Sequence, residues 1–415
     1  MNRLSKSIHY LGPGIIAASA AVGTSHLVQS TRAGTYFGFE LLWLIVLINL
    51  IKYLFIENGY RYTGATGKNL IDAYYQLNPY YLWIFLMINI ISALGGIAVL
   101  IYVSAGIAKA VLGLTYSINQ VGFVIMLITT LLVVFETYDF LDHLMKVFMV
   151  FLFLSTCFVV ISAVLNFKPN YDQVIYHTSA WNVQSLPFVI ALMGWMPGPM
   201  ELGTWYSLWL EEKNKGQYKL DYKAAKKDFN FGYILVIIIA VFFNVMGAMV
   251  LHYSGQTISS NAAEFSHQLI TIYTGIMGGW SYAFIGIAIL TTILSSTFAL
   301  IDVYPRSIVV SLAIMRNQLD EDRQRRQRQV LTVICAVMAY LINYFFVTDF
   351  RTILDIVSTI AFIFAPFIAF LNYRVVNSHL LDQAYHPGKV FRCLCWIAIV
   401  FFIVFDMVFI YSKYI

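Results

Sequence analysis

Eleven apolar stretches of bilayer-crossing length alternate with short polar segments along this chain of 415 residues. They run over about 10–31, 39–57, 81–111, 119–135, 143–165, 181–210, 229–253, 270–300, 329–347, 352–376 and 390–412. About 20 apolar residues carry a helix across the hydrocarbon core, and a helix satisfies its own backbone groups there. Several stretches are longer and must tilt or emerge from the bilayer. The pattern predicts an all-α membrane protein, one polytopic domain over 1–415.

Two of the stretches make poor continuous helices. The sixth contains Met193-Gly194-Trp195-Met196-Pro197-Gly198-Pro199-Met200-Glu201. Pro197 and Pro199 each lack an N–H and clash with the preceding turn, and Gly198 adds freedom. The first opens with Leu11-Gly12-Pro13-Gly14, and Ala20-Ala21-Val22-Gly23-Thr24-Ser25-His26 crosses its middle, a weak apolar helix and a good polar lining. Backbone groups freed in hydrocarbon are costly, so broken helices survive where they line a polar cavity, which often holds a transported solute. Breaks in spans 1 and 6 of eleven suggest two five-span repeats, about 10–165 and 181–376, plus an extra helix at 390–412. An odd span number inverts the second repeat, so the discontinuous helices 1 and 6 meet near the midplane.

Composition narrows the class. The chain is 60% hydrophobic and 11% charged, with mean hydropathy +0.74, where a soluble domain carries about a quarter charged residues. Of its 26 Lys and Arg, 21 fall on the N-terminal side of the membrane and five (Arg32, Lys109, Lys168, Arg351, Lys413) on the other. The positive-inside rule then predicts a multi-pass cell (inner) membrane protein with a cytoplasmic N-terminus and an external C-terminus. The basic loops satisfy topology and can meet anionic headgroups, so the net charge of +5 implies membrane lipid and no nucleic acid as partner. Arg3 and Lys6 precede an apolar run that continues into structured sequence, unlike a cleavable signal. Cys157, Cys335, Cys393 and Cys395 read as packing residues. No phosphate-binding loop, dinucleotide fingerprint or nucleophile motif is present, so neither an enzyme nor a cofactor is expected. A monomer is expected.

The candidate chemistry sits at the breaks. Glu201 is an acid at membrane depth, where ionisable residues mark function by default. His26 and Glu201 each lie three or four residues past a break, on helices that should touch. Together they suit a divalent transition metal, or a proton relay; the alternative is that His26 satisfies a freed carbonyl and Glu201 caps structurally. Met193 and Met196 share a face, which by itself reads as packing. Trp195 is a lid or a packing residue, and Trp209 an interfacial anchor. Thr24, Ser25 and Gln29 either replace part of a hydration shell or satisfy unwound backbone. Asp302 and the group Glu136, Asp139 and Asp142 read as helix-end charges or gate partners of basic residues. Asn244 reads as interhelical glue, and Gly95-Gly96 as close helix packing.

Three stretches resemble the Nramp family of divalent-metal transporters: Gly12-Pro13-Gly14 with Ala33-Gly34 and Gly38 to Trp43, the loop Tyr60 to Leu70, and Met196-Pro197. The resemblance covers most of the chain. It implies a LeuT-type fold, with Met196 as a thioether ligand and Met193 at a position whose carbonyl binds metal. The family's Asp-Pro-Gly-Asn in span 1 corresponds to Gly23, Thr24, Ser25 and His26, so the anionic ligand is replaced. Its His after Met-Pro is Gly198, its acids in span 3 have no counterpart in Ile88 to Tyr102, and its span-9 Arg is missing from Leu331 to Tyr344. The expected substrate-binding set is Gly23, His26, Met193, Met196 and Glu201, with metal on Met196, Glu201 and His26. Proton coupling falls to His26 and Glu201, and gating to Trp195 and Asp302. The expected activity is secondary transport of a divalent cation by alternating access. The competing readings are a transporter of the same fold for an organic solute, favoured by the lost aspartate, and a non-transporting membrane protein.

Overall fold

The computed structural model describes residues 12–135, 139–167, 174, 179–216, 219–318, 320–347 and 349–412, with the backbone alone for 139–149. The sequence-stretch around Glu136, Asp139 and Asp142 therefore has no described side chains. Among the described residues every regular element is helical. In chain order these are α1 (Pro13–Ala21), a π-helical turn (Ser25–Ser30), α2 (Thr31–Phe37), α3 (Leu42–Ile56), α4 (Asn58–Thr66), α5 (Leu70–Leu77), α6 (Pro79–Leu112), α7 (Ile118–Val134) and α8 (Asp139–Leu165). There follow α9 (Leu186–Trp195), α10 (Leu202–Lys215), α11 (Tyr222–Met246), α12 (Ala262–Met277), α13 (Tyr282–Met315), α14 (Glu321–Phe346), α15 (Phe350–Val376) and α16 (Lys389–Ser412).

Both anticipated breaks are present. α1 stops at Ala21 and the chain resumes as the turn from Ser25; α9 stops at Trp195 and α10 begins at Leu202. Each expected span has a helix, but its limits follow polar caps more than the hydropathy profile. Side-chain oxygens of Asn78, Ser117, Asp221, Asp320 and Asp349 accept N–H groups at the starts of α6, α7, α11, α14 and α15, the usual remedy for the orphan donors of a first turn. Two expectations change. The stretch 270–300 is two helices, because Gly278 with φ +94° separates α12 from α13. The segment Tyr60 to Leu70 is helical as far as Thr66, where Gly67 at φ +74° terminates α4, a position that favours glycine.

Seven helices or helix runs are long and apolar enough to span a bilayer among the described residues, and shorter apolar helices add to them. Large apolar side chains such as Met87, Ile91, Phe123, Ile334 and Trp396 are exposed, as a lipid-facing belt requires. α6 has 34 residues, about 51 Å at 1.5 Å per residue, so it must tilt or project.

Small residues bring the broken helices close to their neighbours, the usual route to tight packing in membranes. Gly194 of α9 lies against the Ser358 carbonyl of α15, and Gly14 of α1 against Asp228 and Gly232 of α11. Gly95 and Gly96 of α6 meet Val357 and Leu300. Asn244 Nδ2 donates to the Ser30 carbonyl at 3.4 Å, joining α11 to the first span. The four cysteines are unpaired; Cys335 and Cys395 are buried, Cys157 is half-buried and Cys393 is exposed.

A methyl group at Gly194 would collide with backbone of α15. Gly194→Ala is expected to cost about 1–3 kcal/mol through overpacking, read as a lower melting temperature in detergent. Gly388→Ala, with nothing within 4 Å of the added carbon, is the neutral control.

Candidate functional site

The breaks face each other across a cavity of about 20 Å3, lined by Ala21, Gly23, Thr24 and Ser25 from the first span, Trp195, Gly198, Pro199 and Trp205 from the sixth, and Leu100, Ser296 and Leu300. A water molecule needs roughly 10–15 Å3 of such space, so the cavity takes one water or one bare ion. Trp205 is in that lining, and its indole N–H is buried without a hydrogen-bond partner.

The freed backbone is met by side chains. Ser25 Oγ lies 2.9 Å from the Ala21 carbonyl and 3.2 Å from that of Pro197, so one hydroxyl bridges the two breaks. Ser296 Oγ of α13 donates to the Ser19 carbonyl at 3.0 Å. The α1 N-terminus is held by Asp228 of α11, whose carboxylate accepts from Gly12 N (3.0 Å) and Gly14 N (2.6 Å), where a helix N-terminus favours negative charge. At the end of α9 the donor is a lysine. Lys52 Nζ of α3 donates to the Gly194 carbonyl at 2.6 Å and to the Gly198 carbonyl at 2.8 Å, and Lys52 is fully buried.

Glu201 is buried at the head of α10. Ser92 Oγ of α6 donates to its Oε1 at 2.9 Å, while Oε2 has no hydrogen-bond partner. His26 is turned toward α11: its Nε2–H donates to the Val236 carbonyl (3.1 Å), leaving Nδ1 as acceptor 2.7 Å from Ser25 Oγ. His26 and Glu201 are thus not brought together; each is engaged with a different neighbour. Met193 and Met196 are fully buried, and Met196 ends α9 in extended conformation. Of the five expected binding residues, Gly23 lines the cavity; His26, Met193, Met196 and Glu201 are outside its described lining. Trp195 is in the lining. Among the described residues no three His, Cys, Asp or Glu side chains converge on one point.

Two contacts flank the crossing of the broken helices. Toward the Pro13 face, Trp205 packs edge-on against Tyr304 at 5.1 Å between ring centroids. Beyond them opens a vestibule of about 660 Å3 with Asp72, Glu211, Glu212, Arg306, Arg325 and Arg328 in its walls. Asp302 lies within α13, where it pairs with Arg306 at 3.1 Å; Arg306 also reaches Glu212 at 3.8 Å. Toward the Phe37 face, Arg32 of α2 is buried and makes a bidentate pair with Asp355 of α15, at 2.7 and 2.9 Å. Gln29 bonds both partners (2.9 and 3.0 Å), and the guanidinium lies 4.9 Å from the Phe188 ring centroid.

Lys52, Asp228 and Asp355 were not singled out by the sequence reading. The rule that flags Glu201, an ionisable residue inside an apolar run, applies equally to Lys52 and Asp355. Lys52 and Arg32 are buried in the helical bundle and are not loop charges, so each side of the Lys and Arg distribution loses one.

Two discontinuous helices crossing at a small buried cavity within an apolar helical bundle define a membrane transporter fold of the LeuT type. The profile described as "Natural resistance-associated macrophage protein-like" (Nramp) matches residues 14–412, and the chain belongs to that family. An uncharacterized protein of Pasteurella multocida (strain Pm70) is 32% identical over 368 residues, 88% of this chain and 84% of that one. Among solved structures, the Eremococcus coleocola manganese transporter in complex with an aromatic bis-isothiourea substituted compound has a TM-score of 0.68 at 14% identity, covering 98% of this chain and 87% of that one. MhsT in complex with L-phenylalanine has a TM-score of 0.62 at 13% identity, over 96% and 98%.

Asp355→Ala leaves the Arg32 guanidinium buried without its counter-ion. The pair is partly exposed on the Asp355 side, so the expected loss is about 1–3 kcal/mol rather than that of a fully buried pair. It is read as a lower melting temperature. In the same background a Thr24→Cys probe is expected to react faster with a membrane-impermeant thiol reagent applied from the Phe37 face.

Proposed function

We propose that this protein is a secondary transporter that carries a divalent metal cation through the crossing of its two broken helices by alternating access. The observation that carries the reading is the meeting of the two broken helices at a cavity of about 20 Å3. Family membership supports it, as does the manganese transporter's likeness in fold.

In this reading Met196 supplies a soft thioether and Met193 a backbone carbonyl, a donor set that favours transition metals over Mg2+ and Ca2+. Gly23 lets the first span approach, and Glu201 is the buried carboxylate that balances the cation. His26 acts as a positioning residue, holding Ser25 between the breaks. The segments 10–165 and 181–376 are two inverted repeats that rock about the site, with 390–412 packed outside them. The Lys and Arg distribution supports a cytoplasmic N-terminus in the cell membrane. The charged vestibule is then cytoplasmic, with Asp302–Arg306 on its wall, and the Arg32–Asp355 pair closes the external path. Trp195 forms part of the cavity lid.

One observation favours a second reading. A protein ammonium already occupies the sixth-span break, and Trp205, a residue of the cavity lining, carries an unpaired N–H donor. Both suit a solute that offers acceptors, such as an amino acid or organic anion, once the cavity widens.

Uptake into proteoliposomes separates the readings. Mn2+, Fe2+ and Cd2+ are expected to enter, with Mg2+ and Ca2+ slower and an amino-acid panel inert. Met196→Leu conserves volume and is expected to cut Mn2+ and Cd2+ uptake about tenfold while narrowing their advantage over Mg2+. Glu201→Gln is expected to abolish uptake of all of them. No divalent ion moving at millimolar concentration would sink the proposal.

A further inference from the structure

The group that completes the sixth-span break is unusual. Ser25 and Ser296 satisfy carbonyls with hydroxyls, and a hydroxyl can rotate to present its lone pairs to an arriving cation. Lys52 has three donors and no acceptor, so it can only exclude a cation from the carbonyls it holds. Those carbonyls, Gly194 at 2.6 Å and Gly198 at 2.8 Å, come from the two sides of the break and converge on one positive charge. Convergent carbonyls at an unwound segment are the arrangement by which broken membrane helices hold ions. The ammonium stands at a cation position and is tethered to α3.

Burying that charge completely requires a partner. Glu201, buried at the far end of the same break, has an Oε2 without a hydrogen-bond partner. A displaced ammonium therefore has a buried acceptor toward which it can turn.

We propose that Lys52 is a resident cation: its ammonium competes with the transported cation for the Gly194 and Gly198 carbonyls, and so sets the affinity of the site. This rests on the reading of the protein as a divalent-cation carrier, and deepens it by naming the residue that tunes cation binding. When the competent form, with the ammonium off the carbonyls, is a minor state of about 1–10%, apparent affinity falls by the inverse of that fraction. Removing the ammonium restores it.

The test uses the full-length protein in nanodiscs, titrated with Mn2+ and Cd2+ by calorimetry, for the parent, Lys52→Met, Lys52→Gln and Lys52→Arg. Lys52→Gln retains an amide donor for one carbonyl and guards against a folding failure in Lys52→Met. The neutral variants are expected to bind roughly ten- to hundredfold more tightly than the parent, and Lys52→Arg, which keeps the charge, no more tightly. Equal affinity in parent and neutral variants, or an equal gain in Lys52→Arg, overturns the proposal. If no variant folds, a structure of the parent at saturating Cd2+ decides: the ammonium off both carbonyls supports competition, and the ammonium still on both overturns it. Failures of the two readings are distinguishable. A parent that neither binds nor transports metal, beside a Lys52→Gln variant that binds it, removes the carrier reading and leaves the resident cation standing. A parent that transports Mn2+ with the same affinity as Lys52→Gln does the reverse. Binding by neither removes both.

Discussion

Every notable side chain near the centre of this protein answers one constraint. Two helices stop inside an apolar bundle, and the carbonyl and N–H groups they release have no water to turn to. Ser25 shares its one hydroxyl proton among two of those carbonyls and His26 Nδ1, Ser296 meets a third carbonyl, Lys52 two more, and Asp228 takes the orphan N–H groups where α1 begins. These donors and acceptors come from α3, α11 and α13 as well as the broken spans. The breaks are stable because the rest of the bundle closes around them.

The same groups differ in kind: the first break is met by a hydroxyl, which can donate or accept, and the sixth by a lysine Nζ that donates to both carbonyls. Glu201 has one oxygen on Ser92 and the other without a hydrogen bond. Aromatic packing of Trp205 on Tyr304 and the Arg32–Asp355 pair stand on opposite sides of the cavity. An ion pair and an aromatic contact can each be broken without unfolding a helix, which suits alternating access.

Hydropathy and helix-breaking residues account for the architecture. The all-helical membrane fold, the breaks near Gly23 and Pro197 and the membership of the Nramp family were legible because each depends on local composition or short motifs. Limits of elements were less legible: α12 and α13 read as one stretch, since Gly278 interrupts an otherwise apolar run and only its backbone conformation ends the helix.

The site divides along the same line. Sequence by itself determined that an acid, two methionines and a polar turn lie beside the breaks, because position along a helix is a local property. Tertiary structure decided which of them meet. It turned His26 to the Val236 carbonyl and away from Glu201, and brought Lys52, more than a hundred residues distant along the chain, onto Gly194 and Gly198. The physical reason is that a freed carbonyl takes the nearest donor in space, and the packing of α3 against the sixth span, which no local pattern encodes, makes that donor a lysine.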